Sequence, residues 1–372
     1  MKNRNLRFVF AEKAVVIVGT RPEIVKMAPL VRVLEKSSFP FAFVHCGQHY
    51  DFEMSELFME ELELPKPVYS FRVHGCWHGL QTAWMMVFVE RVLRRVKPGV
   101  VLVEGDTNGV LAAALAAVKL GVRVGHVEAG LRSFDLRMPE EHNRRLTDHV
   151  SAFLFAPTEA AEGNLKRESV WGRVFVVGNT VIDAVVQHLP VALEKSRVLE
   201  RVSFDEFVLA TAHRAENVDD PHVLKGFVEA FVEAPLPVVY PVHPRTRKRL
   251  ESFGLWKKLL GSKNVQVLPP LGYFDFLVLA KHSRFIVTDS GGIQEEATAP
   301  PIRKRVLVTR VSTERPEAVE LGFARVVGVE KENILEAMVE ELDNDDCVLP
   351  MVSPYGNGDA AEKIVEVLKR EL

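Results

Sequence analysis

Short runs of valine, isoleucine and leucine recur along the chain, and most of them end in turn residues followed by a longer amphipathic stretch. This alternation is typical of βα units, in which helices cover both faces of a parallel sheet. The runs that we predict to be strands are 14–18, 41–45, 100–103, 122–126, 207–210, 238–240, 265–268, 285–287 and 305–308. Helical periodicity is clearest at 27–35, 111–120, 181–203 and 359–372. The sequence therefore predicts an α/β fold.

The length of the chain, 372 residues, exceeds what one hydrophobic core usually organises, so we expect two domains. The strand pattern restarts after Asn179-Thr180. We therefore predict a first domain at 1–180 and a second at 181–372, joined by the helical stretch that follows residue 180.

The composition is that of a soluble globular protein. Hydrophobic residues make up 47% of the chain and charged residues 26%, and no apolar run is long enough to span a bilayer. The formal net charge of -3 provides no basic field of the kind that binds nucleic acid. We therefore expect neither a nucleic-acid partner nor a membrane partner, and an anionic ligand would need local groups to hold it.

Cysteine usage favours a reducing compartment. The three cysteines, Cys46, Cys76 and Cys347, are widely spaced and form no CxxC pair, which indicates neither a disulfide framework nor a zinc site. Glu12 and Lys13 interrupt the apolar run at the basic start of the chain, so we expect no targeting segment. A cytoplasmic location fits both observations.

Two loops at predicted strand-to-helix junctions have the chemistry to bind phosphate. In Gly19-Thr20-Arg21-Pro22-Glu23, Arg21 could clamp a phosphate, although a plain turn with a solvated arginine remains an alternative. In Asp289-Ser290-Gly291-Gly292, the glycines let backbone N–H groups approach a pyrophosphate, and Ser290 can donate from its hydroxyl. Glu296 could accept hydrogen bonds from ribose. The two glycines could instead serve tight helix–sheet packing, and neither GxGxxG nor GxxxxGKS/T occurs.

Three acids and a histidine lie beside predicted strand ends: Asp106, Glu128, Glu140 and His213. Each acid taken singly is commonly a helix N-cap or an ion-pair partner, but together they would form an acid/base array facing an anion site. The histidines lack metal-ligand spacing, since His45 and His49 are separated by Gly47, so we expect no metal. His126 and His243 each end an apolar run, where a hydrogen-bonded histidine is common.

Eight colinear motifs carry a resemblance to a known family. They are Gly19-Thr20-Arg21-Pro22-Glu23 with Lys26, Gly105-Asp106-Thr107, His126-Val127-Glu128-Ala129-Gly130-Leu131-Arg132, Pro139-Glu140-Glu141, Asn143-Arg144, Ala212-His213-Arg214, Asp289-Ser290-Gly291-Gly292-Ile293-Gln294-Glu295-Glu296 and Thr313-Glu314-Arg315-Pro316-Glu317. From about Ala14 onward the chain resembles the non-hydrolysing UDP-N-acetylglucosamine 2-epimerases. The resemblance implies two Rossmann-like domains around a central cleft, as in glycosyltransferase-B-like folds, with the last helix, about 359–372, crossing back to the first domain. It also implies a homodimer, no cofactor and a place in cell-surface polysaccharide biosynthesis.

The resemblance also implies roles for individual residues. By match to the family motifs, the substrate-binding residues would be Arg21, Lys26, Phe276 (uracil region), Ser290, Gly291, Gly292 (phosphate), Glu296 (ribose) and Arg315. The catalytic residues would be Asp106, Glu128, Glu140 and His213. Which carboxylate acts on which face of the sugar stays open.

The implied reaction inverts C2 of UDP-N-acetylglucosamine and yields UDP-N-acetylmannosamine. Anti elimination of UDP would give 2-acetamidoglucal, to which UDP adds back after C2 is protonated on the other face. The nearest alternative is a hydrolysing epimerase, which releases UDP and free N-acetylmannosamine. A glycosyltransferase, which would need an acceptor pocket in the first domain, and a non-enzymatic nucleotide-sugar sensor are more distant alternatives.

Overall fold

The computed structural model describes residues 11–48, 52–73, 77–343 and 348–372. The first ten residues, His49, Cys76 and Cys347, about which the sequence led to expectations, lie outside these ranges. The chain divides into two compact units. Unit 1 contains the residues up to Ala184 together with Gly358–Leu372, and unit 2 is Val185–Asn357. The division falls a few residues after the predicted boundary at 180 and leaves the last helix in unit 1.

Within the described residues, unit 1 contains a seven-stranded parallel sheet. Its strands are β1 (Ala11–Val18), β2 (Phe41–Gln48), β3 (Tyr69–Val73), β4 (Pro98–Glu104), β5 (Arg123–Val127), β6 (Phe153–Ala156) and β7 (Arg173–Val176). The strand order is β3-β2-β1-β4-β5-β6-β7, and all neighbouring pairs are parallel. The central strands are buried, as expected for a sheet with helices on both faces.

The helices of the first part of the chain follow its strands. They are α1 (Arg21–Lys36), α2 (Phe52–Glu61), α3 (His78–Val96), α4 (Asn108–Lys119), α5 (Pro139–Val150), α6 (Glu159–Arg167) and α7 (Thr180–Lys195). Threonine caps fix two of their starts: Thr107 accepts from the backbone N–H of Val110 at 3.4 Å, and Thr158 from that of Ala161 at 3.2 Å. Local side chains therefore determine where α4 and α6 begin.

Unit 2 repeats this architecture with six parallel strands among the described residues. They are β8 (Val208–Thr211), β9 (Val238–Pro241), β10 (Val265–Leu268), β11 (Ile286–Thr288), β12 (Val306–Val308) and β13 (Ala324–Val326), in the order β10-β9-β8-β11-β12-β13. The helices are α8 (Ala215–Val218), α9 (Pro221–Val232), α10 (Pro244–Ser252), α11 (Trp256–Leu260), α12 (Tyr273–His282), α13 (Gly291–Glu296), α14 (Pro316–Glu320) and α15 (Lys331–Asp343). A short 3-10 helix, Val198–Arg201, precedes β8.

The last helix, α16 (Ala360–Glu371), packs its apolar face in unit 1. Ile364, Val365 and Leu368 are buried, and the helix contacts α1. Asp183 anchors its start, because its carboxylate accepts from the backbone N–H groups of Ala361 at 2.8 Å and of Ala360 at 3.3 Å. The predicted amphipathic surface helix at the end of the chain is confirmed.

Candidate active site

Each sheet has a point where the strand order reverses, and four of the predicted site residues follow the strands that meet there. In unit 1 these strands are β1 and β4, which are followed by Arg21 and by Asp106. In unit 2 they are β8 and β11, which are followed by His213 and by Ser290. Open α/β sheets bind their ligands at such points, so each unit presents a candidate ligand site.

The loop after β1 is organised by a buried carboxyl group. Glu23 Oε2 accepts from the backbone N–H of Gly19 at 2.7 Å, and Oε1 accepts from the Thr20 hydroxyl at 2.9 Å. The Thr107 hydroxyl, in the loop after β4, also hydrogen-bonds to Glu23. Burial raises the pKa of Glu23 to about 7 even though these hydrogen bonds lower it. One side chain therefore ties together the two loops at the reversal point.

Gly19 is required by the close approach of β2 to this loop. A Cβ at Gly19 would lie 2.6 Å from the backbone oxygen of Cys46, so no larger residue fits. The guanidinium of Arg21 lies 4.1 Å from the ring centroid of Phe58, an arrangement typical of a cation–π contact. The arginine that the sequence suggested as a phosphate clamp is thus partly held by an aromatic ring.

Lys26 is shared by two carboxylates at the ends of neighbouring strands. Its Nζ lies 3.1 Å from Glu104 Oε1 and also bonds to Glu128 Oε2. Burial raises the pKa of Glu104 well above its ordinary value, and the nearby Glu128 and Glu23 carboxyls add to this, while Lys26 opposes it. One ammonium group thus neutralises part of a cluster of carboxyls, and ionising all of them at once would cost considerable free energy.

Glu128 is held in an uncommon backbone conformation. Its φ of 67° lies in the left-handed region, which costs a non-glycine residue free energy, and such strain often marks functional positions. The side chain is fixed by Lys26 and by the Asn179 amide, which donates to Oε2 at 3.0 Å. Just before it, His126 bonds to Asp148 Oδ1 at 2.7 Å and to the backbone oxygen of Gly105 at 2.8 Å. The predicted hydrogen-bonded histidine at this strand end is confirmed.

Asp106 forms an ion pair with Arg144 of α5. Arg144 is fixed in turn by Glu141, whose Oε2 lies 3.1 Å from its guanidinium and accepts from the backbone N–H of Ser133 at 2.9 Å. The amide of Asn143 donates to the backbone oxygen of Asp106 at 2.9 Å. Helix α5 therefore positions the carboxylate that follows β4.

Glu140 lies differently from the other two predicted catalytic acids. It occupies the first turn of α5 and its side chain is exposed, whereas Glu128 is largely buried and Asp106 is held by Arg144. Glu141, the next residue, is the buried one of the pair. The described structure thus places Glu140 on the same helix as Asn143 and Arg144, at its solvent-facing start.

In unit 2, a buried aspartate organises the loop that carries His213. Asp289 accepts from the backbone N–H of His213 at 3.0 Å and from that of Arg214 at 2.9 Å. Its Oδ1 also lies 3.3 Å from Nδ1 of the His213 ring. Asn217 completes the set, because its amide donates to Asp289 Oδ2 at 3.2 Å. The end of β11 therefore fixes the loop that follows β8.

Two arginines approach the glycine turn. A Cβ added to Gly291 would lie 3.8 Å from Arg214 Nη2 and 3.8 Å from the Arg315 guanidinium, so the Gly291 backbone faces both cations. Arg315 is held by the buried Glu295, and its backbone N–H donates to Thr313 at 3.1 Å. Ser290 precedes this turn and is partly exposed. Adjacent N–H groups and cations are the chemistry that binds a phosphate group.

A third arginine near this turn is already neutralised. Arg310 makes a bidentate ion pair with Glu314, at 2.7 and 2.9 Å. Burial raises the pKa of Glu314, but the hydrogen bonds and charge of Arg310 outweigh it and lower that pKa to about 2. Arg310 therefore stiffens the loop before Arg315.

The remaining predicted contacts lie on two helices of unit 2. Glu296, proposed for ribose, ends α13 and is partly exposed. Phe276, proposed for the uracil region, is half-buried on α12. His243, the other histidine expected to be hydrogen-bonded, accepts from the backbone N–H of Arg245 at 3.3 Å and so caps α10. That expectation is confirmed.

Several functional candidates were not singled out by the sequence analysis: Glu23, Glu104, Arg144, Arg214 and Asp289. All five stand within or beside the motifs that carried the family resemblance. Their roles depend on contacts between loops far apart in the chain, such as those of Asp289 with His213, so no local pattern could have assigned them.

Other kinds of site find little support in the described residues. Across 11–48, 52–73, 77–343 and 348–372, no group of three or more acids, histidines and cysteines has the geometry of a metal site. Among the same residues, no helix combines the length and apolarity needed to cross a bilayer. The thiol of Cys46 is buried, which raises its pKa to about 12 and keeps it protonated.

Two Rossmann-like units, one with a carboxyl cluster and one with a cationic glycine turn, define a protein of the glycosyltransferase-B-like class. A family model described as UDP-N-acetylglucosamine 2-epimerase matches residues 32–369. The chain therefore belongs to this family.

Known relatives match over nearly the whole chain. A UDP-N-acetylglucosamine 2-epimerase of Methanocaldococcus jannaschii is 45% identical, covering 96% of this chain and 98% of the relative. A UDP-2,3-diacetamido-2,3-dideoxy-D-glucuronate 2-epimerase of Pseudomonas aeruginosa is 42% identical, covering 96% of this chain and 99% of that protein. The crystal structure of the M. jannaschii enzyme in complex with UDP-GlcNAc and UDP has a TM-score of 0.87, covering 96% of this chain and 99% of that one. The family resemblance and the predicted α/β class with two Rossmann-like domains are confirmed.

Proposed function

We propose that the protein is a UDP-N-acetylglucosamine 2-epimerase of the non-hydrolysing type. It would convert UDP-N-acetylglucosamine reversibly into UDP-N-acetylmannosamine, as a cytoplasmic homodimer that uses no cofactor or metal and supplies cell-surface polysaccharide synthesis. The single observation that carries the proposal is that Asp106 of unit 1 and the glycine turn of unit 2 each follow a strand at a reversal of strand order.

The reaction requires that the diphosphate leave before C2 can lose its proton. No carbonyl group acidifies the C2–H bond, so direct deprotonation would be very slow. When the C1–O bond breaks, positive charge builds at C1 and acidifies the C2–H bond. Removal of the C2 proton then leaves 2-acetamidoglucal and UDP. Protonation of C2 on the opposite face and return of UDP to C1 complete the inversion, so that nothing is consumed.

Unit 2 is proposed to hold and stabilise the departing UDP. Ser290 and the N–H groups of Gly291 and Gly292 would hold phosphate, with Arg315 approaching the same turn from the side. Glu296 would accept from the ribose hydroxyls and Phe276 would contact the uracil region. His213, placed by Asp289, would meet the leaving diphosphate. Preorganised donors of this kind act where negative charge develops, and so favour the transition state over the bound substrate.

Unit 1 is proposed to move the C2 proton. Asp106, Glu128 and Glu140 are the candidates for the acid and the base on the two faces of the sugar. The raised pKa values of the neighbouring Glu23 and Glu104 support the proposal that a protonated carboxyl group is available in this cluster near neutral pH. Arg21 and Lys26 would contribute positive charge on the substrate side.

The identity of the sugar is the finer part of the proposal. The P. aeruginosa relative, which is 42% identical in sequence, is named for a diacetamido-glucuronate substrate. Its sequence identity to this chain is close to the 45% of the N-acetylglucosamine enzyme. The family model carries the N-acetylglucosamine name, which favours that substrate here. Comparing kcat/KM for both UDP-sugars measures this preference directly, and we expect the N-acetylglucosamine compound to be preferred.

Product analysis tests the proposed reaction. Incubation with UDP-N-acetylglucosamine and proton NMR should show UDP-N-acetylmannosamine forming until a fixed ratio of the two nucleotide sugars is reached, with their total conserved. Stoichiometric accumulation of UDP and free N-acetylmannosamine would instead identify a hydrolysing enzyme. Transfer of the sugar to an added acceptor, without epimerisation, would identify a glycosyltransferase.

A further inference from the structure

The carboxylate of Asp289 is buried completely, yet it lies against a partly exposed histidine ring. Its Oδ1 lies 3.3 Å from Nδ1 of His213, whose side chain is 37% exposed, whereas the Asp289 side chain has no exposure. A carboxylate in this position can accept a hydrogen bond from Nδ1–H, which leaves Nε2 as the ring atom that meets a ligand. The ring of His243, with its centroid 6.0 Å away, and the neighbouring Arg214 also lie beside it.

We propose that Asp289 is a positioning residue that fixes the protonation pattern of His213: Nδ1 carries a hydrogen, and Nε2 faces the leaving diphosphate. The inference deepens the proposed function and rests on it for its kinetic consequence. A ring whose Nδ1–H is paired with a carboxylate can also carry a hydrogen on Nε2, because the aspartate balances the resulting positive charge. His213 would then oppose the negative charge that grows on UDP as the C1–O bond breaks.

The hydrogen bonds of Asp289 make Asp289→Asn an informative substitution. Oδ2 accepts from three donors, the backbone N–H groups of His213 and Arg214 and the amide of Asn217. The His213 N–H is shared with Oδ1, which lies 3.1 Å from the nitrogen. In Asp289→Asn we expect the amide oxygen at the Oδ2 position, because three donors converge there and the shared His213 N–H can keep its bond to it. The amide NH2 then takes the Oδ1 position and faces Nδ1 of His213. Nδ1 must then accept a hydrogen bond, so the ring becomes neutral, with its only hydrogen on Nε2.

Nitrogen-15 NMR of the histidine-labelled protein in the presence of UDP reads this pattern directly. The signals of His213 are identified as those missing from His213→Gln. In the wild type we expect a protonated Nδ1, and in Asp289→Asn an unprotonated Nδ1 with a protonated Nε2. An unprotonated Nδ1 in the wild type would overturn the proposal even if the variant failed to fold.

Kinetics supply the second test. For Asp289→Asn we expect kcat to fall by ~10²-fold or more while the dissociation constant of UDP changes much less, because a neutral Nε2–H still donates to the bound diphosphate. In a His213→Gln background the same substitution should have little further effect, since a residue that acts through another loses its effect when that other is removed. Equal effects of Asp289→Asn in both backgrounds would contradict the proposal.

Asp220→Asn is the matched control. Asp220 accepts from the backbone N–H groups of His222 at 2.8 Å and Val223 at 3.2 Å, so its variant also neutralises a carboxylate that holds backbone N–H groups in unit 2. Its kcat should stay at the wild-type value. The NMR test involves no turnover, so a failure of the proposed epimerisation would leave the assignment of Asp289 standing. If the wild type epimerised the substrate but had an unprotonated His213 Nδ1, only the proposed role of Asp289 would be excluded.

Discussion

Charged groups at the ends of β1, β4 and β5 are unevenly balanced, with several carboxyls and few cations. Glu104 and Glu128 share Lys26, Asp106 uses Arg144, and Glu23 is held by neutral donors. Because burial disfavours the ionised form of a carboxyl group, the pKa values of Glu23 and Glu104 are raised. The sequence identified Asp106 and Glu128 from their place after apolar runs, but partners such as Arg144, from another helix, could not be read from the chain.

Asp106→Asn tests the proposed role of the acid at the end of β4. The amide keeps the size and shape of the side chain but cannot exchange a proton, so kcat should fall by about 10²- to 10⁴-fold. The dissociation constant of UDP, measured by calorimetry, should be unchanged. Asp135→Asn is the control, because Asp135 also pairs with an arginine, Arg137, but on an exposed loop. A variant of Asp106 that epimerises normally would exclude this residue from the chemistry.

The raised pKa of Glu23 makes folding stability depend on pH. Its pKa rises from the ordinary 4.5 to about 7 on folding, so the folded state holds the proton more tightly than the unfolded chain. The stabilisation that the tighter proton binding of Glu23 contributes to the wild type is fully present below pH 4.5 and is lost as the pH rises to about 7. Glu23→Gln lacks this loss, so its free energy of unfolding relative to wild type should become more favourable by up to about 1.4 kcal/mol per pH unit in that window.

Urea unfolding of both proteins at several pH values measures the difference. Glu90→Gln, in which an exposed carboxylate paired with Arg94 is changed, should show no such trend relative to wild type. A constant difference between Glu23→Gln and wild type from pH 5 to 8 would contradict a raised pKa of Glu23, because that window is where the group must titrate.

At the scale of elements, most strands that the sequence predicted are buried inside the sheets, and one of them, β10, is an edge strand. All nine predicted runs overlap strands, and the four missed strands are β3, β6, β7 and β13. Three of these, β3, β7 and β13, are edge strands, and their exposed or partly exposed residues interrupt the continuous apolar run of a buried strand. β6 is buried but only four residues long, too short to stand out. Edge strands are specified by tertiary pairing more than by local sequence.

The loop between β5 and α5 packs tightly on α6, and Gly130 makes that packing possible. Gly130 has a φ of 85°, and a Cβ there would lie 2.3 Å from the backbone oxygen of Ala161. Gly130→Ala should therefore destabilise the protein by about 2 kcal/mol or more, measured by urea unfolding. It should also lower activity, because this loop carries Glu128.

Gly163 offers a matched control on the helix that Gly130 packs against. It lies within α6, and a Cβ there would meet no atom within 4 Å apart from its chain neighbours and the backbone of its own helix. Gly163→Ala should stabilise the protein by up to about 1 kcal/mol, because alanine is the better helix former. Equal stability of the two alanine variants would show that the close approach at Gly130 does not limit this loop.

At the scale of the whole molecule, the chain contains two copies of one architecture with different chemistry at equivalent points. In unit 1 the reversal of strand order carries acids, and in unit 2 it carries glycines and arginines. In the sequence, the strand pattern restarts after Asn179, and the strands of the second sheet all follow that residue. The contacts of Asp289 with His213 and of Glu23 with Thr107 could not be predicted, because they join loops that only the folded sheets bring together.

Reaction in heavy water tests the central claim, that departure of UDP allows C2 to lose and regain hydrogen. We expect deuterium at C2 in the UDP-N-acetylmannosamine formed and, because the reaction is reversible, in the recovered UDP-N-acetylglucosamine as well. Mass spectrometry and proton NMR detect this label. Epimerisation that leaves protium at C2 in both nucleotide sugars would contradict the account.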